Sequence, residues 1–136
     1  MKETEIQGIL KGHADRYAEL LRTLFTKGVS LDQERSVEHH FWANSQREAV
    51  LLAKELYDRG YLVLTISPVN TEDDSTTWNV EAGIEQSPAI AASQPLSENL
   101  TRLAAQFEAV YDGWGTSIWS FQRSALSSGR GSSSRK

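Results

Sequence analysis

Cysteine is absent from the 136 residues, which excludes disulfides, thiolate zinc sites and cysteine nucleophiles and fits a reducing compartment. No run approaches the roughly twenty apolar residues of a membrane span. The N-terminus, Met1-Lys2-Glu3-Thr4-Glu5, carries acids with no apolar stretch behind it, so a soluble, cytoplasmic protein is expected. Positive charge is scarce through one half of the chain. Between Gly60 and Gln122, Arg102 stands against Glu72, Asp73, Asp74, Glu81, Glu85, Glu98, Glu108 and Asp112, leaving that half at −7. Nucleic acid is repelled from such a surface, because phosphate binding draws on lysine and arginine. Catalytic signatures are missing too: there is no Gly-x-Ser-x-Gly elbow, no phosphate-cradling glycine loop and no His-Glu-x-x-His. Glu72-Asp73-Asp74 lacks the glycine and closing glutamate of a calcium loop and reads as a solvated turn. Neither metal nor cofactor is expected, and no enzymatic activity.

What is present is a strand, helix and strand with its punctuation in place. Val37 to Ala43 holds β-branched and aromatic residues suited to a pleated surface. Ser45, with Glu48 three residues on, has the capping-box spacing that opens a helix. Ala49, Val50, Ala53, Leu56 and Tyr57 recur at helical spacing as its apolar stripe, and Gly60 closes it. Tyr61 to Ile66 is a second strand, ended by Ser67-Pro68, and Val69 to Thr76 is a polar loop. Thr77 to Glu85 alternates with period two, Trp78, Val80, Ala82 and Ile84 on one face, Asn79, Glu81, Gly83 and Glu85 on the other.

Upstream, Ile6, Ile9, Leu10, Tyr17, Leu20, Leu21, Leu24 and Phe25 predict a long amphipathic helix ending at Gly28. His13 on its apolar side reads as a packing residue. Gln86 to Pro95 is expected to be irregular, with Ser97 capping a third helix whose stripe is Leu100, Leu103, Ala104, Phe107 and Val110. Tyr111 to about Phe121 is a last extended segment. The chain thus divides into an N-terminal helix over 1–28, an α+β domain over 29–123 and a disordered tail over 124–136, the last nearly devoid of apolar residues and basic at Arg130, Arg135 and Lys136. The order β-α-β-β-α-β is that of the split β-α-β arrangement, an antiparallel sheet with the strands at Val37 and Thr77 in the centre and two helices on one face. The N-terminal helix is expected to cover the other face, where Trp42 would otherwise expose aromatic surface.

Glu38-His39-His40, the glycine stop before Tyr61 and above all Tyr111-Asp112-Gly113-Trp114-Gly115-Thr116 resemble the family of protein regulators of ribonuclease E activity, type B, from the N-terminal helix to about Ile118. The resemblance implies a ferredoxin-like domain that binds the endoribonuclease or its scaffold and modulates RNA cleavage and decay without chemistry of its own. The better-known members end in a strongly acidic tail, whereas this chain ends Gly129-Arg130-Gly131-Ser132-Ser133-Ser134-Arg135-Lys136.

Successive strand residues point to opposite faces, so His39 and His40 cannot converge on one metal. One is a packed histidine; the other, His40, shares a face with Glu38 and Trp42. Asp112-Gly113 reads as a tight bend. Trp114 between glycines has two readings, a packing anchor or a point of close approach by another chain. The expected protein-interaction residues are Glu38, His40, Trp42, Glu81, Glu85, Tyr111, Asp112, Gly113, Trp114 and Gly115, facing an RNase E-type endoribonuclease. The same strand order belongs to RNA-recognition modules, which stack bases on aromatics of the central strands. The third strand offers carboxylates there instead, which leaves an RNA-binding or small-ligand-sensing domain as the alternative.

Overall fold

A computed structural model describes residues 1–117 of the chain. Its elements run α1 (Glu3–Thr26), β1 (Arg35–Ala43), α2 (Gln46–Asp58), β2 (Leu62–Asn70), β3 (Thr76–Gln86), α3 (Pro88–Ala91), α4 (Gln94–Gln106) and β4 (Ala109–Thr116). The strands form one antiparallel sheet in the order β2-β3-β1-β4, the α+β, ferredoxin-like arrangement expected, with β1 and β3 at the centre. The expected extension to Phe121 and the tail over 124–136 lie outside the described residues.

Local signals account for most boundaries. Ser45 accepts a hydrogen bond from the Glu48 N–H and opens α2, and Gly60 follows its end at φ +100°, a backbone conformation only glycine takes cheaply. The buried stripe of α2 is Ala49, Leu52, Ala53 and Leu56. Val50 and Tyr57, expected inward, are exposed, Tyr57 by 67%. Both stripes have helical spacing, and the better packed one wins. Leu52 and Leu56 meet Phe41, Val80, Ala82, Leu100, Leu103 and Tyr111 in the main core.

Four further expectations are corrected. β2 continues through Pro68 to Asn70, because it is an edge strand bonded only to β3, and an edge tolerates a residue without an N–H. Gln86 to Pro95 is not irregular: Ser87 caps α3 through the Ile90 N–H, and α4 starts at Gln94 with Ser93 as N-cap. Pro95 occupies the first turn, where a missing N–H costs nothing. Ser97 is buried inside the helix, and Val110 belongs to β4.

The largest correction concerns α1. It packs beside α4, on the helix-bearing side of the sheet, and leaves the opposite face open. Tyr17 and Leu24 share a second buried cluster with Val29, Val37, Ala91 and Trp114, while Arg102 of α4 donates to both carboxylate oxygens of Glu3. The partner for its stripe was hidden in the sequence. Trp114 and the Ala91 end of α3 supply an apolar trough beside α4 that local pattern does not reveal.

Candidate functional site

β1 separates two environments by its alternation. Val37, His39, Phe41 and Ala43 are buried toward the helices, whereas Glu38, His40 and Trp42 face the uncovered side. His39 is fully paired within 2.7 Å on both ring nitrogens: Nε2 meets Oε1 of Gln86 and Nδ1 meets the Tyr111 hydroxyl. Since an amide oxygen only accepts, Nε2 carries the proton and Nδ1 accepts from Tyr111. Burial pulls this imidazole down to about 4, which keeps it neutral. His13 on α1 is also buried, stacks on Tyr17 and lies 3.3 Å from the Ser97 hydroxyl. Desolvation, then the neighbouring Arg16, lowers its pKa. Neither ring is open to a ligand.

β4 crosses from one environment to the other through a bulge. Tyr111 pairs with Phe41 and Gly113 with His40, so Asp112 is an extra residue opposite no partner. One inserted residue turns both Tyr111 and Trp114 toward the helices, and both are buried. Gly113 is at φ +111°, and a Cβ there would stand 3.3 Å from the Tyr17 hydroxyl. Beyond the bulge, Trp114 pairs with His39 and Gly115 with Glu38. The two stretches singled out in the sequence, Glu38-His39-His40 and Tyr111 to Thr116, are therefore neighbours in register.

The open face is built from four strands. One row sets Leu62, Gly83, Glu38 and Gly115 side by side; the next sets Thr65, Glu81 and His40; the third sets Ser67, Asn79, Trp42 and Val110. Leu62 is 65% exposed, and Leu64 and Val110 are 44% and 41% exposed. The Trp42 indole N–H donates to Asp112 Oδ2 at 3.4 Å, Glu81 lies 3.6 Å from His40 Nδ1, and Glu85 accepts from the Ser36 hydroxyl at 2.6 Å. Glu38 is exposed, and its carboxylate makes no hydrogen bond or ion pair among the described residues. No Lys or Arg stands in these rows. Apart from Arg35 at the start of β1, the described basic residues lie on or cap the helices.

Six of the ten residues expected at an interface, Glu38, His40, Trp42, Glu81, Glu85 and Asp112, thus gather on the open face, with Gly115 beside Glu38 on the edge strand β4. Tyr111 and Trp114 sit beneath α1 as packing anchors, and Gly113 serves the bulge. Sequence reasoning missed Leu62, Leu64 and Val110. The signal for the first two was present, because Tyr61 to Ile66 is apolar at both parities, more than a strand with one buried face requires. Among the described residues no cluster of His, Asp and Glu is arranged to hold a metal ion, and no helix is long and apolar enough to cross a membrane.

Comparison with known proteins assigns a family to this geometry. A family model described as "Regulator of ribonuclease activity B" matches residues 14–116, the span that includes every element from the second half of α1 to the end of β4. Proteins named Regulator of ribonuclease activity B are similar along most of the chain. The one from Shewanella amazonensis is 25% identical over 111 residues, covering 82% of this chain and 79% of its own. That from Pantoea ananatis is 24% identical over 110 residues, covering 81% and 79%, and that from Pseudoalteromonas translucida is 26% identical over 98 residues, covering 72% and 88%.

Proposed function

We propose that this chain, which belongs to the regulator of ribonuclease activity B family, binds an RNase E-type endoribonuclease or its scaffold in the cytoplasm and modulates RNA cleavage as a non-catalytic partner. The observation that supports this reading is the open face of the sheet, which combines exposed leucines and Trp42 with Glu38, Glu81, Glu85 and Asp112 and has no lysine or arginine in its rows. Apolar area supplies affinity once water is expelled, and a face whose rows carry carboxylates but no lysine or arginine selects a basic segment of the partner. Ribonucleases hold RNA through basic segments, so an acidic face suits one of them. His39 is buried, neutral and paired on both ring nitrogens, which supports a packing role for it rather than a chemical one.

The test is capture with the tagged chain from bacterial cytoplasm at low and at high salt, followed by an RNA cleavage assay with the purified ribonuclease. Recovery of the ribonuclease, weaker at high salt, together with an altered cleavage rate is the expected result. Absence of ribonuclease at both salts overturns the reading. The same sheet face as an RNA platform is disfavoured by its carboxylates: tight binding of single-stranded RNA at low salt would reverse that judgement.

A further inference from the structure

Among the described residues, nothing requires Gly115 to be glycine. Its φ lies outside the positive range, and among the described residues nothing comes within 4 Å of where its Cβ would be. Glycine within a strand forfeits packing and costs folding entropy, and one with no turn to make marks a place where something else approaches the backbone. Across the ladder stands Glu38, the one carboxylate of the four on this face without a partner among the described residues. On its other side lies Gly83, where Leu64 Cδ1 covers the backbone at 3.2 Å from the Cβ position. Glu38 therefore rises from a notch, with bare backbone on one flank and a leucine methyl on the other.

We infer that this notch receives an arginine side chain from the basic segment of the bound protein partner, with the guanidinium paired to Glu38 over Gly115 and the aliphatic stem against Leu64. The inference rests on the reading above that the open face is the docking face. Charge complementarity sets the sign of the occupant. Shape selects arginine over lysine: a guanidinium is flat, weakly hydrated and able to lie on bare peptide while donating two hydrogen bonds to one carboxylate, whereas an ammonium is a compact, strongly hydrated point charge.

The probe is the peptide acetyl-Arg-Leu-Arg-Leu-Arg-amide, with a lysine version for comparison, titrated into the isotope-labelled full chain while the backbone amides of Glu38 and Gly115 are followed by NMR. The arginine peptide is expected to shift both signals, Glu38→Gln and Gly115→Leu each to weaken binding about tenfold or more, and lysine to bind correspondingly less well. Gly115→Leu should keep the thermal midpoint, since its side chain enters open space. Equal binding of the two peptides, indifference to Gly115→Leu, or no shift at all overturns the notch. So do shifts that follow protein concentration without peptide, which would give the face to a second copy. Shifts that appear only after Arg123, Arg130, Arg135 and Lys136 are changed to glutamine would give it to the chain's own C-terminal residues. Ribonuclease capture that survives Gly115→Leu at full strength removes the notch and leaves the docking reading intact; loss of capture by the unaltered chain removes the docking reading itself.

Discussion

His39 is a residue whose protonation the fold opposes. Its folded pKa, about 4, is below the ordinary 6.5 because burial penalises the imidazolium, against the pull of the Gln86 hydrogen bond. Between those values the unfolded chain binds a proton that the native chain refuses, so stability falls as pH drops through this window, by about 3 kcal/mol at most. His13 acts in the same direction. The thermal midpoint should therefore decline from pH 7 to 4.5, and His39→Gln should flatten the decline; a midpoint equally steep in the variant would show that His39 does not drive it. The glycines of β4 make a second contrast. Gly113→Ala forces a side chain into positive φ against Tyr17 and should cost about 1–3 kcal/mol, while Gly115→Ala should be neutral or gain a few tenths to about 1 kcal/mol. Urea denaturation of the two variants checks both.

At the scale of elements, the docking of α1 turns on a few side chains. Leu24 is 1% exposed and packs with Val29 and Trp114, whereas its neighbour Phe25 is 71% exposed. Leu24→Ala is expected to destabilise by about 2–5 kcal/mol and Phe25→Ala to change little, as measured by chemical denaturation; similar losses at both would mean that the end of α1 is not seated against Val29 and Trp114 as described. The α1 stripe was legible in the sequence, but its partner was not. Helical spacing tells which residues want burial; it does not tell which of two apolar surfaces will accept them. The same limit appears in α2, where Leu52 displaced Val50 and Tyr57, and in α3, too short for a periodicity to register. Strand order was legible because the succession β-α-β-β-α-β implies it, and the inward face of β1 because its alternation is clean. The candidate face was legible to the extent that parity alone put Glu38, His40 and Trp42 opposite His39. Trp114 escaped because the bulge at Asp112 breaks parity, and a bulge is a property of the pair of strands rather than of either one.

For the whole molecule, charge is sorted by side. The described lysines and arginines other than Arg35 ride on the helices, while the uncovered face of the sheet presents Glu38, Glu81, Glu85 and Asp112 with none. A net charge of −4 understates this, because screening over about 8–10 Å at physiological salt lets a docking partner feel the near face far more than the remote one. Position of charge, then, should matter more than amount. Glu38 and Glu85 are exposed, so Glu38→Lys with Glu85→Lys should leave stability within about 0.5 kcal/mol yet slow association with the ribonuclease and flatten its dependence on salt. The same charge change made on the helix side, with Glu19→Lys and Glu55→Lys, alters net charge identically and should do much less. Binding rates measured for the two double variants from low to physiological salt separate the cases: equal slowing in both would mean that total charge steers the encounter, and the open face would lose its claim to be where the partner docks.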